Sequence, residues 1–150
     1  MDTLKKLRRI RSITILFVIF SLVGCNSMSL FDQHAYTQTT SVKVDALNLM
    51  DLAVEEYTTH ETSVVELQTQ LQKIYEYEKN RPKNEFTLKM WDKLLAEDGH
   101  LLGGFLNRWK NETKLNEIFI VESKKQVAQA FDYIAGFESE KLKEADIPNF

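Results

Sequence analysis

The 150-residue chain holds one cysteine, two prolines and five glycines. With a single thiol, Cys25, no intramolecular disulfide can form. The scarcity of Pro and Gly, beside abundant Leu, Glu, Lys and Gln, points to an all-α fold. No phosphate-cradling loop is present, because Gly103-Gly104 has neither the required spacing nor a following Lys-Ser/Thr. No Gly-x-Ser-x-Gly elbow supports Ser/His/Asp catalysis. Nor is there an apolar run of the roughly 20 residues that a bilayer span needs. The longest, Ile13 to Val23, is short and contains Thr14 and Ser21.

What is present begins at the N-terminus. A basic head, Lys5, Lys6, Arg8, Arg9 and Arg11, precedes that short apolar run. This order describes a secretory signal peptide whose positive end stays cytoplasmic. The run ends in Leu22-Val23-Gly24-Cys25. These four residues resemble the lipobox of bacterial lipoproteins, and the resemblance covers only residues 1–25. It implies cleavage between Gly24 and Cys25, a diacylglyceryl thioether on Cys25 and acylation of the new amine. It also accounts for the lone thiol, and two or three acyl chains anchor stably where one does not. The competing reading is an uncleaved anchor helix with a chance cysteine. Asn26 follows the Cys where Asp commonly signals inner-membrane retention, which implies the outer membrane if the source is Gram-negative.

Cleavage there changes the charge. Five of the 19 basic and one of the 22 acidic residues lie before Cys25, leaving 14 against 21 and a net charge of −7. Such a chain repels phosphate backbones, which argues against nucleic-acid binding.

Three regions follow: signal peptide 1–24, lipidated Cys and polar tether 25–41, and helical domain 42–150. Apolar residues at Val44, Leu47, Met50, Val54, Tyr57, Val64, Leu67, Leu71 and Ile74 recur in steps of three and four. That spacing predicts one helix from Val42 to Lys79, stopped by Asn80-Arg81-Pro82. Its stripe is interrupted by Thr58 to Thr62, where Glu61 replaces an apolar residue; such a position fixes register or partner choice. Asn84 opens a short amphipathic helix through Phe86, Met90 and Leu94, broken at Asp98-Gly99. Thr113 caps a last long helix, Lys114 to Lys143, with a buried stripe at Ile118, Val121, Val127, Phe131, Ile134 and Leu142. The expected architecture is two long antiparallel amphipathic helices joined by two short ones, after an N-terminal signal helix. Two long helices alone make a thin core. Either the short helices fold back over it or a second copy completes a four-helix bundle, and self-association is favoured.

The segment from His100 to Lys110 is the least typical. Leu101-Leu102 and Phe105-Leu106 flank Gly103-Gly104, and Trp109 follows. Glycines inside a helix cost about 1 kcal/mol each against Ala, so they imply a close approach. Two readings stand: tight helix packing, or an exposed apolar lip for a partner, an acyl chain or a membrane surface. A metal site finds little support. Glu56 and His60 share a face, but Glu97 and His100 straddle the Gly99 break and no second His lies on the last helix. The basic residues Lys79, Arg81, Lys83, Lys89 and Lys93, joined by Arg108, Lys110 and Lys114, form either solvated surface or a patch for an anionic partner.

The sequence thus favours a lipid-anchored, non-catalytic interaction module of the bacterial envelope. It carries no cofactor beyond the covalent lipid. Another envelope protein is its expected partner, met through Glu61 and Leu101, Leu102, Gly103, Gly104, Phe105 and Trp109. The alternative is a carrier with a small apolar pocket at Gly103-Gly104, lined by Trp91, Phe105 and Trp109.

Overall fold

The computed structural model describes residues 31–139 and 141–147. The expected signal peptide, Cys25 and Asn26 lie outside the described residues. Five α-helices and no strand are found among those described: α1 (Gln33–Asp51), α2 (Tyr57–Lys79), α3 (Glu85–Leu95), α4 (Leu102–Glu112) and α5 (Glu117–Glu138). None is long and apolar enough to cross a membrane.

Helix α1 begins inside the stretch expected to be tether. Asp32 caps it, its Oδ1 accepting from the His34 and Ala35 amides at 2.8 and 3.0 Å. Its buried stripe runs Ala35, Thr39, Val42, Ala46, Leu49. These steps of four and three are helical, but small and polar residues carry them, so the face reads as tether when only large apolar side chains are counted. Val44, expected inside, is 55% exposed.

The single helix expected from Val42 to Lys79 is two. A 3₁₀ turn at Leu52–Val54 ends α1, and Glu55 and Glu56 are extended. No Gly or Pro marks the break. Its cause is distant chain: Leu115 N–H donates to Ala53 O at 2.8 Å, Tyr57 N–H to Thr113 O at 2.9 Å and Trp109 Nε1–H to Glu55 O at 3.0 Å. These bonds occupy backbone groups that the break would otherwise leave unpaired. Thr113 adopts φ +69° to present its carbonyl.

The break lets α1 and α2 fold into a hairpin. Tyr77 at the end of α2 donates to Asp32 at the head of α1, 2.7 Å. Helix α5 lies antiparallel on α1, with Lys43 paired to Asp132 and Lys124 to Asp51, both at 2.5 Å. Helix α3 completes the arrangement, contacting both α2 and α5. Trp91 stands edge-on to Phe131, centroids 6.0 Å apart, and Phe86 lies against Phe137 at 4.9 Å. Helices α1, α2, α3 and α5 therefore close a ring of contacts around one core. The fourth helix of the bundle comes from this chain, so its core does not depend on a second copy.

The last helix is shorter than expected. Asn116, not Thr113, caps it, accepting from the Phe119 amide. Ile118 and Val121 are not core, being 79% and 50% exposed, and Ile120 and Ser123 point inward instead. After Glu138 the chain turns back. The Lys141 and Leu142 amides bond to Gly136 O, and Leu142 rests where a Gly136 side chain would be.

Candidate functional site

Helix α4 lies outside the ring, against α2 and α3. Its glycines explain how it fits. A Cβ on Gly103 would meet the Leu95 and Ala96 carbonyl oxygens, and one on Gly104 would meet the Gly99 carbonyl. Both obstacles are backbone, so the first turn of α4 is seated directly on the end of α3 and the loop after it.

The apolar segment is turned inward. Leu101, Leu102, Phe105 and Trp109 are all buried. Trp109 is edge-on to Tyr57 at 5.5 Å, and Phe105 stacks on Phe119 at 5.9 Å. Trp91 is buried against Phe131. The side chains proposed to line an apolar ligand pocket are thus packed in the core, and the lip they were to form is not on the surface.

A groove lies elsewhere, between α2 and α4. It is open, encloses about 390 Å³ and is bordered by Tyr57, Glu61, Val65, Gln68 and Tyr75 on one side and Leu102, Gly103, Leu106 and Lys110 on the other. Glu61 and the pair Leu102-Gly103, distant in sequence, meet here. Gly104, Leu101, Phe105 and Trp109 do not border it. Val65 is an exposed apolar residue on its wall.

The basic residues do not form one surface. Lys110 borders the groove, Arg108 bonds Glu112 and sits 4.2 Å above the Phe119 ring, and Lys114 is 3.5 Å from Glu56. His60 Nε2 lies 2.8 Å from Glu55, not Glu56. Among the described residues no group of three His, Cys, Asp or Glu could hold a metal ion.

Arg81 leaves the surface altogether. Its side chain is buried at the end of the bundle, where Nη1 donates to Glu78 Oε2 at 2.7 Å and to Glu138 Oε2 at 2.5 Å. Its Nε is 3.6 Å from Asp32 Oδ2. Asn84 does not cap α3 with its side chain; its Nδ2 donates to Glu78 O and Oε2. The two glutamates are 0% and 3% exposed, and among the described residues Oε1 of each has no hydrogen-bond partner of good geometry, the Thr87 hydroxyl beside Glu138 included. Burial pushes the Glu138 carboxyl up to about 7; the Glu78 charge adds to this, and Arg81 opposes it. Asp32 goes the other way: the Tyr77 hydroxyl, then the Ala35 amide, Arg81 and the His34 amide, outweigh burial and hold it below its ordinary value. For Arg81 itself burial pulls downward, but Glu138 and Glu78 hold the guanidinium above its usual value. Glu78 and Glu138 carry no sequence signal. Glu78 sits one turn beyond the apolar Ile74, and a glutamate there reads as solvated surface.

Compared with known protein families, curated proteins and solved structures, the chain finds no match. The functional reading therefore rests on its own residues.

Proposed function

We propose that the chain is a lipid-anchored, non-catalytic helical module of the bacterial envelope that docks another envelope protein. The observation that carries the docking is the α2–α4 groove, where Glu61, Leu102 and Gly103 come together beside the exposed Val65. A groove of mixed polar and apolar lining, with Glu61, Glu97 and Lys110 among its charges, suits a helical or extended segment of a partner. Its size also lies within the range of small-ligand clefts, so a carrier reading moves to this groove from the interior at Trp91, Phe105 and Trp109. The partner reading is preferred because the groove is partly open to solvent and the exposed Val65 stands on its wall.

Site-specific photocrosslinking in intact envelopes tests it. A photoreactive residue at Val65 or Gln68 is expected to trap the same protein, and one at Gln129, on the exposed side of α5, to trap none. Equal trapping at all three positions sinks the groove as the contact.

The anchor has its own test. We place the protein in the envelope through the lipobox resemblance at Leu22-Val23-Gly24-Cys25, with the outer membrane as destination in a Gram-negative cell. Cys25→Ser should leave an unprocessed precursor that incorporates no labelled palmitate. Normal processing of that variant overturns the lipid anchor and leaves the groove untouched.

A further inference from the structure

The acid pair at the end of the bundle is built against charge balance. Two buried carboxylates, Glu78 and Glu138, meet the same nitrogen of Arg81, Nη1, and a third, Asp32, faces its Nε. Asp32 is well provided for by Tyr77 and two backbone amides. Glu78 and Glu138 share Nη1 of Arg81. From the α3 side the neutral Asn84, its cap, and Thr87, both buried, face them. A buried carboxylate that is neither fully paired nor fully hydrogen-bonded is costly, and one proton removes the excess.

The position of this pair gives the proton something to control. Glu138 is the last residue of α5, two beyond Gly136, whose carbonyl holds the Lys141 and Leu142 amides. Arg81 lies in the α2–α3 turn and Asp32 at the head of α1. The cluster joins three chain ends of the bundle to the point from which residues 141–147 fold back and bury Ile147.

We propose that Glu78, Arg81 and Glu138 form a proton-operated clasp. With one proton on the acid pair, the end of α5 is closed on the α2–α3 turn. With both carboxylates ionised, the last turn of α5 opens locally and residues 141–147 come away. The proton is taken from water and returned to it, and no other group changes. The sign follows from Glu138, whose carboxyl is held near 7 when closed against 4.5 for a free glutamate. The closed form binds the proton more tightly, so raising the pH favours opening. Closure is undisturbed below about 4.5, weakens as pH rises and reaches its limit above about 7.

Hydrogen exchange on the full-length lipidated protein in detergent tests the clasp. Protection factors, corrected for intrinsic exchange, are read at the Lys141 and Leu142 amides between pH 6 and pH 8. In the natural chain they should fall about tenfold, the change that a closed value near 7 and an open value of 4.5 require. Glu138→Gln, which imitates the protonated acid, should hold them constant. The isosteric Glu78→Gln removes the charge that adds to burial, so it should make the fall clearly smaller without abolishing it, and it serves if Glu138→Gln does not fold. Amides in the middle of α1, such as Ala46, should not respond in any variant. Constant protection in the natural chain overturns the clasp. So does a tenfold fall that survives in Glu138→Gln or Glu78→Gln, or a fall shared equally by Ala46.

Discussion

Gly104→Ala should destabilise the domain by about 3 kcal/mol or more, and Gly103→Ala by a similar amount, as seen in thermal melting followed by helical circular dichroism. The sign is the informative part. Both residues lie inside a helix, where Ala is better than Gly by about 1 kcal/mol. A local account therefore expects both variants to melt higher than the natural chain. Packing reverses this, because each new methyl would meet a carbonyl oxygen of Leu95, Ala96 or Gly99 that belongs to the backbone and has no rotamer to move into. Gly99→Ala is the internal control. Its Cβ would stand 3.1 Å from Ala96 O and 3.3 Å from Ala96 Cβ, a crowding that a shift of a few tenths of an ångström relieves. If Gly104→Ala melts at or above the natural temperature, α4 does not sit on the α3 end as described.

Arg81→Met is expected to be as severe and, unlike the glycine variants, to depend on pH. The side chain is of similar length and keeps the packing while removing the guanidinium that pairs with both Glu78 and Glu138. Breaking a buried ion pair from one side costs about 3–5 kcal/mol. That loss should appear in full at pH 8, as a fall in melting temperature of roughly 10 to 15 °C. At pH 5.5 Glu138 holds a proton, since its value is near 7, and only Glu78 is left without its partner, so the fall should be smaller. Adding Glu138→Gln to Arg81→Met should recover part of the loss at pH 8 and little at pH 5.5. A loss equal at both pH values contradicts the assignment of the proton to this pair.

The all-helical fold was legible because large apolar residues with helical spacing mark most of it. Val64, Leu67, Leu71 and Ile74 are buried as their spacing requires, and so are Met90, Leu94, Val127, Phe131 and Ile134. The misreadings share one cause, a structural role carried by residues whose type does not announce it. Helix α1 buries Ala35 and Thr39, small enough to pass for tether. The break at Leu52 to Glu56 has no local breaker and is made by carbonyls and amides more than 50 residues away. At the start of α5 the pattern Ile118, Val121 is helical but faces solvent, because Asn116 sets the cap and brings Ile120 and Ser123 inward.

The site was legible in the same uneven way. Glu61 and Gly103 stood out from the sequence for separate reasons, and the structure sets them on one groove. Leu101, Phe105 and Trp109 stood out as an apolar cluster, which is also what a core segment looks like; hydrophobicity alone does not tell the two apart. The Glu78–Arg81–Glu138 cluster had no signal at all. A glutamate is read as surface until a distant arginine is known to reach it, and Glu138 is 57 residues from Arg81.

The polarity of the bundle has a consequence for any partner. Asp32, Tyr77 and Glu138 mark the end where the chain enters from Cys25. The seven steps from Cys25 to Asp32 can extend at most roughly 24 Å. Glu61 lies 16 residues up α2 from Tyr77, about 24 Å further along the axis. With the lipid we propose on Cys25, these set a ceiling on reach of roughly 50 Å between acyl chains and groove. A protein engaged there has to present its contacting segment within that height of the membrane.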